Sequence, residues 1–203
     1  MGIFEDIVFY DDKIVDGRWV KWFHFQVPDK EGKERDTKRN DLESKGHCKP
    51  CTALSGCYFL RRKLPKKKAD GAGLLHPNCD CGLEPIPKAA REITAVCPIE
   101  KFTEYIFGEK YRSNGKMDLF LSLGFSFEDS EYLKAEFEKQ AREKYLSGDY
   151  EFGKLNNFGQ RITMAITVDS KTRKGIKFGT GWMIHPLGKI VCTTPQGANY
   201  ERV

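Results

Sequence analysis

The chain has 203 residues, 39% of them hydrophobic and 12% aromatic, which is enough for one large domain or two small ones. With 31% charged residues, a mean hydropathy of −0.56 and no apolar run near the ~18 residues of a membrane-spanning helix, no membrane insertion is expected. The net charge is +5, and the surplus is local.

The N-terminus, MGIFEDIVFYDDK, carries acids where a secretory leader has a basic n-region. Export by the general secretory route is not expected. The expected location is the cytoplasm, of a producing or of a target cell. Residues 1–27 read as strands, with β-branched and aromatic residues in short runs broken at Asp16-Gly17, a hairpin turn signal. Residues 28–46 contain almost no apolar side chain and read as a loop or polar linker.

Residues 47–87 hold two cysteine pairs, Cys48-Lys-Pro-Cys51 and His76-Pro-Asn-Cys79-Asp-Cys81. The i, i+3 pair suits a tight knuckle, and the i, i+2 pair places both thiols on one face of an extended segment. Together Cys48, Cys51, Cys79 and Cys81 make a tetrahedral structural Zn²⁺ site, with His76 as a spare ligand. Two disulfides, or thiols left unligated or redox-active, are the rival readings. The module's few apolar residues, among them Leu54, Tyr58, Phe59 and Leu60, would hardly form a core without a metal or cross-link. Between the pairs, Arg61, Arg62, Lys63, Lys66, Lys67 and Lys68 crowd into eight positions. This run is either a solvated loop tip or an electrostatic footprint for nucleic acid. No aromatic is interleaved with it to stack bases.

From about residue 95 the texture changes to helices. Ile99, Phe102 and Ile106 follow Pro98 at helical spacing up to Gly108, and 117–124 reads as a second short helix with a glycine stop. Ser126-Phe-Glu-Asp129 is a capping box opening a third helix, with Leu133, Phe137, Ala141 and Tyr145 on one stripe and Gly148 at its end. Strands follow at 161–168, where Ile162, Met164, Ile166 and Val168 alternate, and at 177–184 and 189–194, with turns at 171–175 and 186–188. The expected fold is α+β: a zinc-stapled N-terminal module with a β-hairpin over 1–94, then three helices and an antiparallel β-meander over 95–203.

Two stretches resemble known families. Cys48-x-x-Cys51-x-x-Leu54-x-Gly56, followed by His76-Pro-Asn-Cys79-x-Cys81, resembles the cysteine segment of phage Mu F-like minor head proteins; the large helical body of those proteins is missing. Ile99-Glu-Lys-Phe-Thr-Glu-Tyr-Ile106, Gly115-Lys-Met-Asp-Leu-Phe120 and Leu123-Gly-Phe125, with the closing sheet, resemble an uncharacterised C-terminal domain of bacterial polymorphic toxins, covering 97–200. Helices followed by a meander are, by analogy of layout, also the arrangement of the barnase, EndoU and RelE group of ribonucleases.

The resemblance implies a toxin or effector with a cognate immunity protein, acidic where it covers a cationic site. A metal-independent ribonuclease would need an acid, a base and cations around the phosphate. His185, the single histidine of the C-terminal region, is the proton-transfer candidate. Lys116, Arg161 and Thr194 are candidates for phosphate contact. RNA, with tRNA foremost, is the expected partner, and a non-enzymatic zinc-stabilised adaptor binding nucleic acid or a phage component is the alternative. There is no Walker loop, dinucleotide fingerprint, serine elbow or His-Glu-x-x-His. A Cys–His protease would need Cys97 or Cys192 beside His185 or His24, and Cys192 reads as a small core residue. Gly179-Thr-Gly181 marks a bulge or a close backbone approach within a strand.

Overall fold

The structure, a computed structural model, describes residues 7–10, 13–24, 49–65, 81–86 and 92–196, with the backbone alone for 7–10, 13–16 and 24. It is a mixed α+β protein. In chain order come β1 (Ile7–Tyr10), β2 (Lys13–Asp16), β3 (Trp19–His24), α1 (Lys49–Leu54), β4 (Tyr58–Leu60), β5 (Cys81–Pro85) and β6 (Thr94–Val96). Then follow α2 (Glu100–Thr103), α3 (Lys116–Ser122), α4 (Ser130–Ser147), β7 (Glu151–Asn156), β8 (Gly159–Val168), β9 (Ile176–Ile184) and β10 (Lys189–Thr194). The contacts divide the chain into two units. The first comprises Met1–Ile93 with Lys154–Gln160 and Ile184–Gly188; the second comprises Thr94–Gly153, Arg161–Met183 and Lys189–Val203.

In the first unit β1 and β2 form an antiparallel pair, while β3 is the centre of a separate three-stranded sheet, β4-β3-β5. Asp16-Gly17 therefore breaks the apolar run without making a hairpin, because the strands on its two sides belong to different sheets. Trp22, Leu54 and Phe59 are fully buried, and the Trp22 and Phe59 rings meet edge to face at 6.1 Å.

The second unit is built on the five-stranded sheet β6-β10-β9-β8-β7. β8 and β9 pair antiparallel from Arg161–Met183 to Val168–Ile176, and β6 adds parallel to β10. The strict alternation of β8 buries Ile162, Met164, Ile166 and Val168 and leaves Arg161, Thr163, Ala165 and Thr167 exposed. From the helical layer Leu133, Phe137, Ala141 and Tyr145 of α4 are buried on one stripe. Phe120 stacks on Phe178 at 4.7 Å, and Phe137 lies 6.1 Å from the same ring, so aromatic contacts join helices to β9. Beneath them the buried Trp182 indole N–H donates to the Thr180 hydroxyl (2.8 Å), which donates to the Met164 carbonyl (2.9 Å).

The helix expected over 99–106 is α-helical only at Glu100–Thr103. The Thr103 hydroxyl turns back to the Ile99 carbonyl, and Tyr105 and Phe107 reach back five residues, to the Glu100 and Phe102 carbonyls. Gly108 ends the turn because a Cβ there would lie 2.0 Å from the Glu104 carbonyl oxygen. The Ser126–Asp129 box closes as its spacing implies. The Ser126 N–H and hydroxyl both donate to Asp129 Oδ2, at 2.8 and 3.0 Å, and a 3₁₀ turn at Phe127–Asp129 leads into α4. Among the described residues no helix is long and apolar enough to cross a membrane.

Candidate functional site

The cysteine module lies in the first unit. Cys51 is buried in α1, which packs on β3, and Cys81 opens β5 with its backbone opposite His24 of β3. One cysteine of each pair is thus buried on an element attached to the same central strand. Cys48, Cys79 and His76 lie outside the described residues. Among the described residues no cluster of three metal-ligating side chains occurs. Cys57, unremarked in the sequence, is fully buried, its thiol 3.7 Å from the Ala53 carbonyl and 4.0 Å from that of Ile184. That contact is what a small core residue closing a short helix would make.

Of the basic run, Arg61, Arg62 and Lys63 are described and Lys66, Lys67 and Lys68 are not. Arg61 donates from Nε to the Gly17 carbonyl at 3.2 Å, and its backbone N–H bonds Arg18 at 2.8 Å. Its guanidinium therefore fastens the end of β4 to the start of β3. Arg62 is exposed and Lys63 half-buried.

His185 is half-buried just after β9 and belongs to the first unit. The segment around it is pinned: Pro186 bridges Cys57, and the Leu187 N–H donates to the Gly56 carbonyl at 2.9 Å. Leu187 and Gly188 take φ of 60° and 73°, the left-handed pair of a tight primed turn. For leucine that conformation costs on the order of 1 kcal/mol. Alongside, the Tyr58 hydroxyl donates to Glu92 Oε2 at 2.9 Å. Burial, then this bond and the charges of Glu92 and Glu84, push the Tyr58 phenol up to about 12.

Lys116, Arg161 and Thr194 all lie in the second unit. Lys116 is the first residue of a seven-residue helix, and its ammonium leans away from the helix axis, donating to the Gln196 carbonyl at 2.8 Å and lying 4.9 Å from the Tyr105 ring centre. Lys101 does the same one step earlier, donating to the Thr193 carbonyl at 3.0 Å. β6 ends at Val96, opposite Val191, and past that point Lys101 takes the Thr193 carbonyl of β10 while Lys116 takes the Gln196 carbonyl just beyond the strand.

Arg161 and Thr194 come together around Gly181 of β9. A Cβ on Gly181 would lie 3.5 Å from Arg161 Nη2, 3.2 Å from Thr193 Oγ1 and 3.5 Å from Thr194 Cβ. The missing side chain leaves a notch walled by a guanidinium and two threonines. Thr193 Oγ1 is buried with no hydrogen-bond partner, an arrangement that ordinarily calls for an unseen water or ion. A guanidinium and an unspent hydroxyl donor are the donor types from which an oxyanion accepts, though the space over Gly181 is closed to solvent at the Thr193 hydroxyl. The three atoms nearest that position belong to Arg161, Thr193 and Thr194, and His185 is grouped with the other unit.

Thr193, Gly181 and Lys101 were not singled out as site residues by the sequence. The close-approach signal of Gly179-Thr-Gly181 pointed to the position, but what approaches it, the Arg161 side chain from β8, depends on strand register. No family model matches the chain, and no curated protein and no solved structure matches it.

Proposed function

We propose that the chain is a toxin or effector of bacterial or phage association whose C-terminal unit acts on RNA, as a metal-independent ribonuclease directed at tRNA or another structured RNA. The observation that carries this reading is the convergence of Arg161 Nη2 and the unpartnered Thr193 hydroxyl on the space above Gly181. A phosphodiester oxygen brought against Arg161 would accept from its guanidinium, and from the Thr193 hydroxyl once the strands part enough to expose it, and these donors would stabilise charge gathering on it during transfer. Thr194 walls the notch, and Lys116 holds the chain beyond β10 in place through Gln196. His185 is the proton-transfer candidate, tested separately from the notch. Ahead of this unit the reading places a structural Zn²⁺ on Cys48, Cys51, Cys79 and Cys81. It implies an immunity protein acidic enough to cover Arg161 and its neighbours.

Arg161, Thr193 and Thr194 supply one cation and two hydroxyls, groups that bind phosphate without catalysing its transfer, which favours a second reading: a zinc-stabilised nucleic-acid-binding adaptor without catalysis. Incubating the purified chain with a bacterial tRNA pool in magnesium-free buffer separates the two. Discrete fragments, lost in Arg161→Ala and in His185→Ala, support the ribonuclease. Salt-sensitive binding of intact tRNA, weakened by Arg161→Ala alone, supports the adaptor. No cleavage and no binding would remove RNA as the partner.

A further inference from the structure

β6 is the edge strand of the five-stranded sheet and, at three residues, its shortest. Its parallel register with β10 runs Thr94–Lys189, Ala95–Ile190, Val96–Val191. One step beyond, at the next pair of positions along the same two chain segments, stand Cys97 and Cys192, 0% and 1% exposed and both free thiols. Neighbouring strands lie about 4.8 Å apart, inside the roughly 4.4–6.8 Å Cα separation that a disulfide spans. Cys97 is further fixed through its backbone N–H, which donates to Glu138 Oε1 of α4 at 2.9 Å. Neither thiol has a part in the proposed RNA chemistry.

We propose that Cys97 and Cys192 are a latent disulfide, a two-electron oxidation site that staples β6 to β10 and so ties the first strand of the C-terminal unit to its last. The oxidant is a low-molecular-weight disulfide such as oxidised glutathione. One cysteine thiolate attacks a glutathione sulfur, breaking its S–S bond, forming a mixed disulfide and releasing one glutathione. The second thiolate attacks the protein sulfur of that mixed disulfide and expels the other glutathione. The two protons leave on the two glutathione thiols, and the protein has lost two electrons.

In the closed fold the reaction is held back. The neighbouring Cys192 thiol, then burial and the nearby Glu138, keep the Cys97 thiol well above its usual range, so it is protonated and unreactive. Fraying of the short edge strand frees it, and closure should therefore proceed at a rate that levels off as oxidant is raised. The cross-link spans residues 97 to 192, a long loop whose closure restrains the unfolded chain strongly.

The full chain is incubated with oxidised glutathione or with dithiothreitol, digested without reduction, and mapped by mass spectrometry alongside thermal melts. The expected result is a Cys97–Cys192 peptide lighter by two hydrogens and a melting midpoint raised on the order of 10 °C in the oxidised sample. Cys97→Ala and Cys192→Ala should each lose both effects: melting some degrees below the reduced wild type because a buried sulfur is removed, they should show the same midpoint with oxidised glutathione as with dithiothreitol. Oxidation confined to Cys48, Cys51, Cys57, Cys79 or Cys81, or a Cys97–Cys192 bond with no rise in midpoint, would overturn the proposal. If an alanine variant fails to fold, the wild-type map and melt alone decide.

Discussion

At the scale of single residues, the hydroxyl of Thr193 is the sharpest probe of the notch. A buried donor without a partner costs about 1–3 kcal/mol, so Thr193→Val, which keeps the branched shape, is expected to stabilise the fold by about 1 kcal/mol. The same change should weaken RNA binding, and a melt paired with a titration reads both. A purely structural hydroxyl would give the opposite sign in the melt. Arg161→Ala is expected to weaken binding by at least tenfold, the worth of a charge-assisted hydrogen bond, read by titration. Tyr58 gives a pH signature. With its phenol raised to about 12, the folded state retains a proton that the unfolded chain loses near 10. The stability so contributed is complete below pH 10 and lost as pH rises through about 12. Urea melts across that window should show a falling midpoint, and Tyr58→Phe should flatten the fall.

At the scale of elements, the Ser126–Asp129 box is expected to hold the start of α4. Partial burial raises the Asp129 carboxyl, but the Ser126 N–H, its hydroxyl and Lys171 outweigh that and hold it below the usual range. The stabilisation is present above the ordinary carboxylate pKa and is lost as pH falls through the lowered one. Asp129→Asn should cost about 1 kcal/mol at neutral pH and make the acid limb of a stability profile shallower. The elements most legible in the sequence were those with their own period: α4, whose stripe from Leu133 to Tyr145 is buried, and β8, whose alternation from Ile162 to Val168 places every second side chain inside. β6 and β7 were not legible. Thr-Ala-Val is a strand only because β10 lies beside it, and Glu-Phe-Gly-Lys-Leu-Asn carries charges and a glycine that no strand pattern favours. Likewise Arg161 and Thr194 were chosen for their chemistry, but their meeting across Gly181 rests on pairing between β8, β9 and β10, which the sequence does not display.

At the scale of the molecule, the chain passes from one unit to the other five times, because Lys154–Gln160 and Ile184–Gly188 group with the N-terminal unit while the strands around them group with the C-terminal one. A cut at the composition change near residue 95 therefore separates segments that share contacts, and work on function belongs in the full chain. The zinc reading makes its own demand at this scale: purified chain should carry one zinc, and Cys51→Ser should lower both the zinc content and the melting midpoint. Zinc-free protein with unchanged stability would return the module to disulfides or plain core thiols. The most direct measurement is inducible expression in a bacterial host, scoring growth and total RNA for wild type, Arg161→Ala, Lys116→Ala and His185→Ala. Growth arrest with discrete RNA fragments, relieved by Arg161→Ala and His185→Ala, is the result expected of an RNA-cleaving effector. Normal growth with intact RNA at good soluble yield would contradict it.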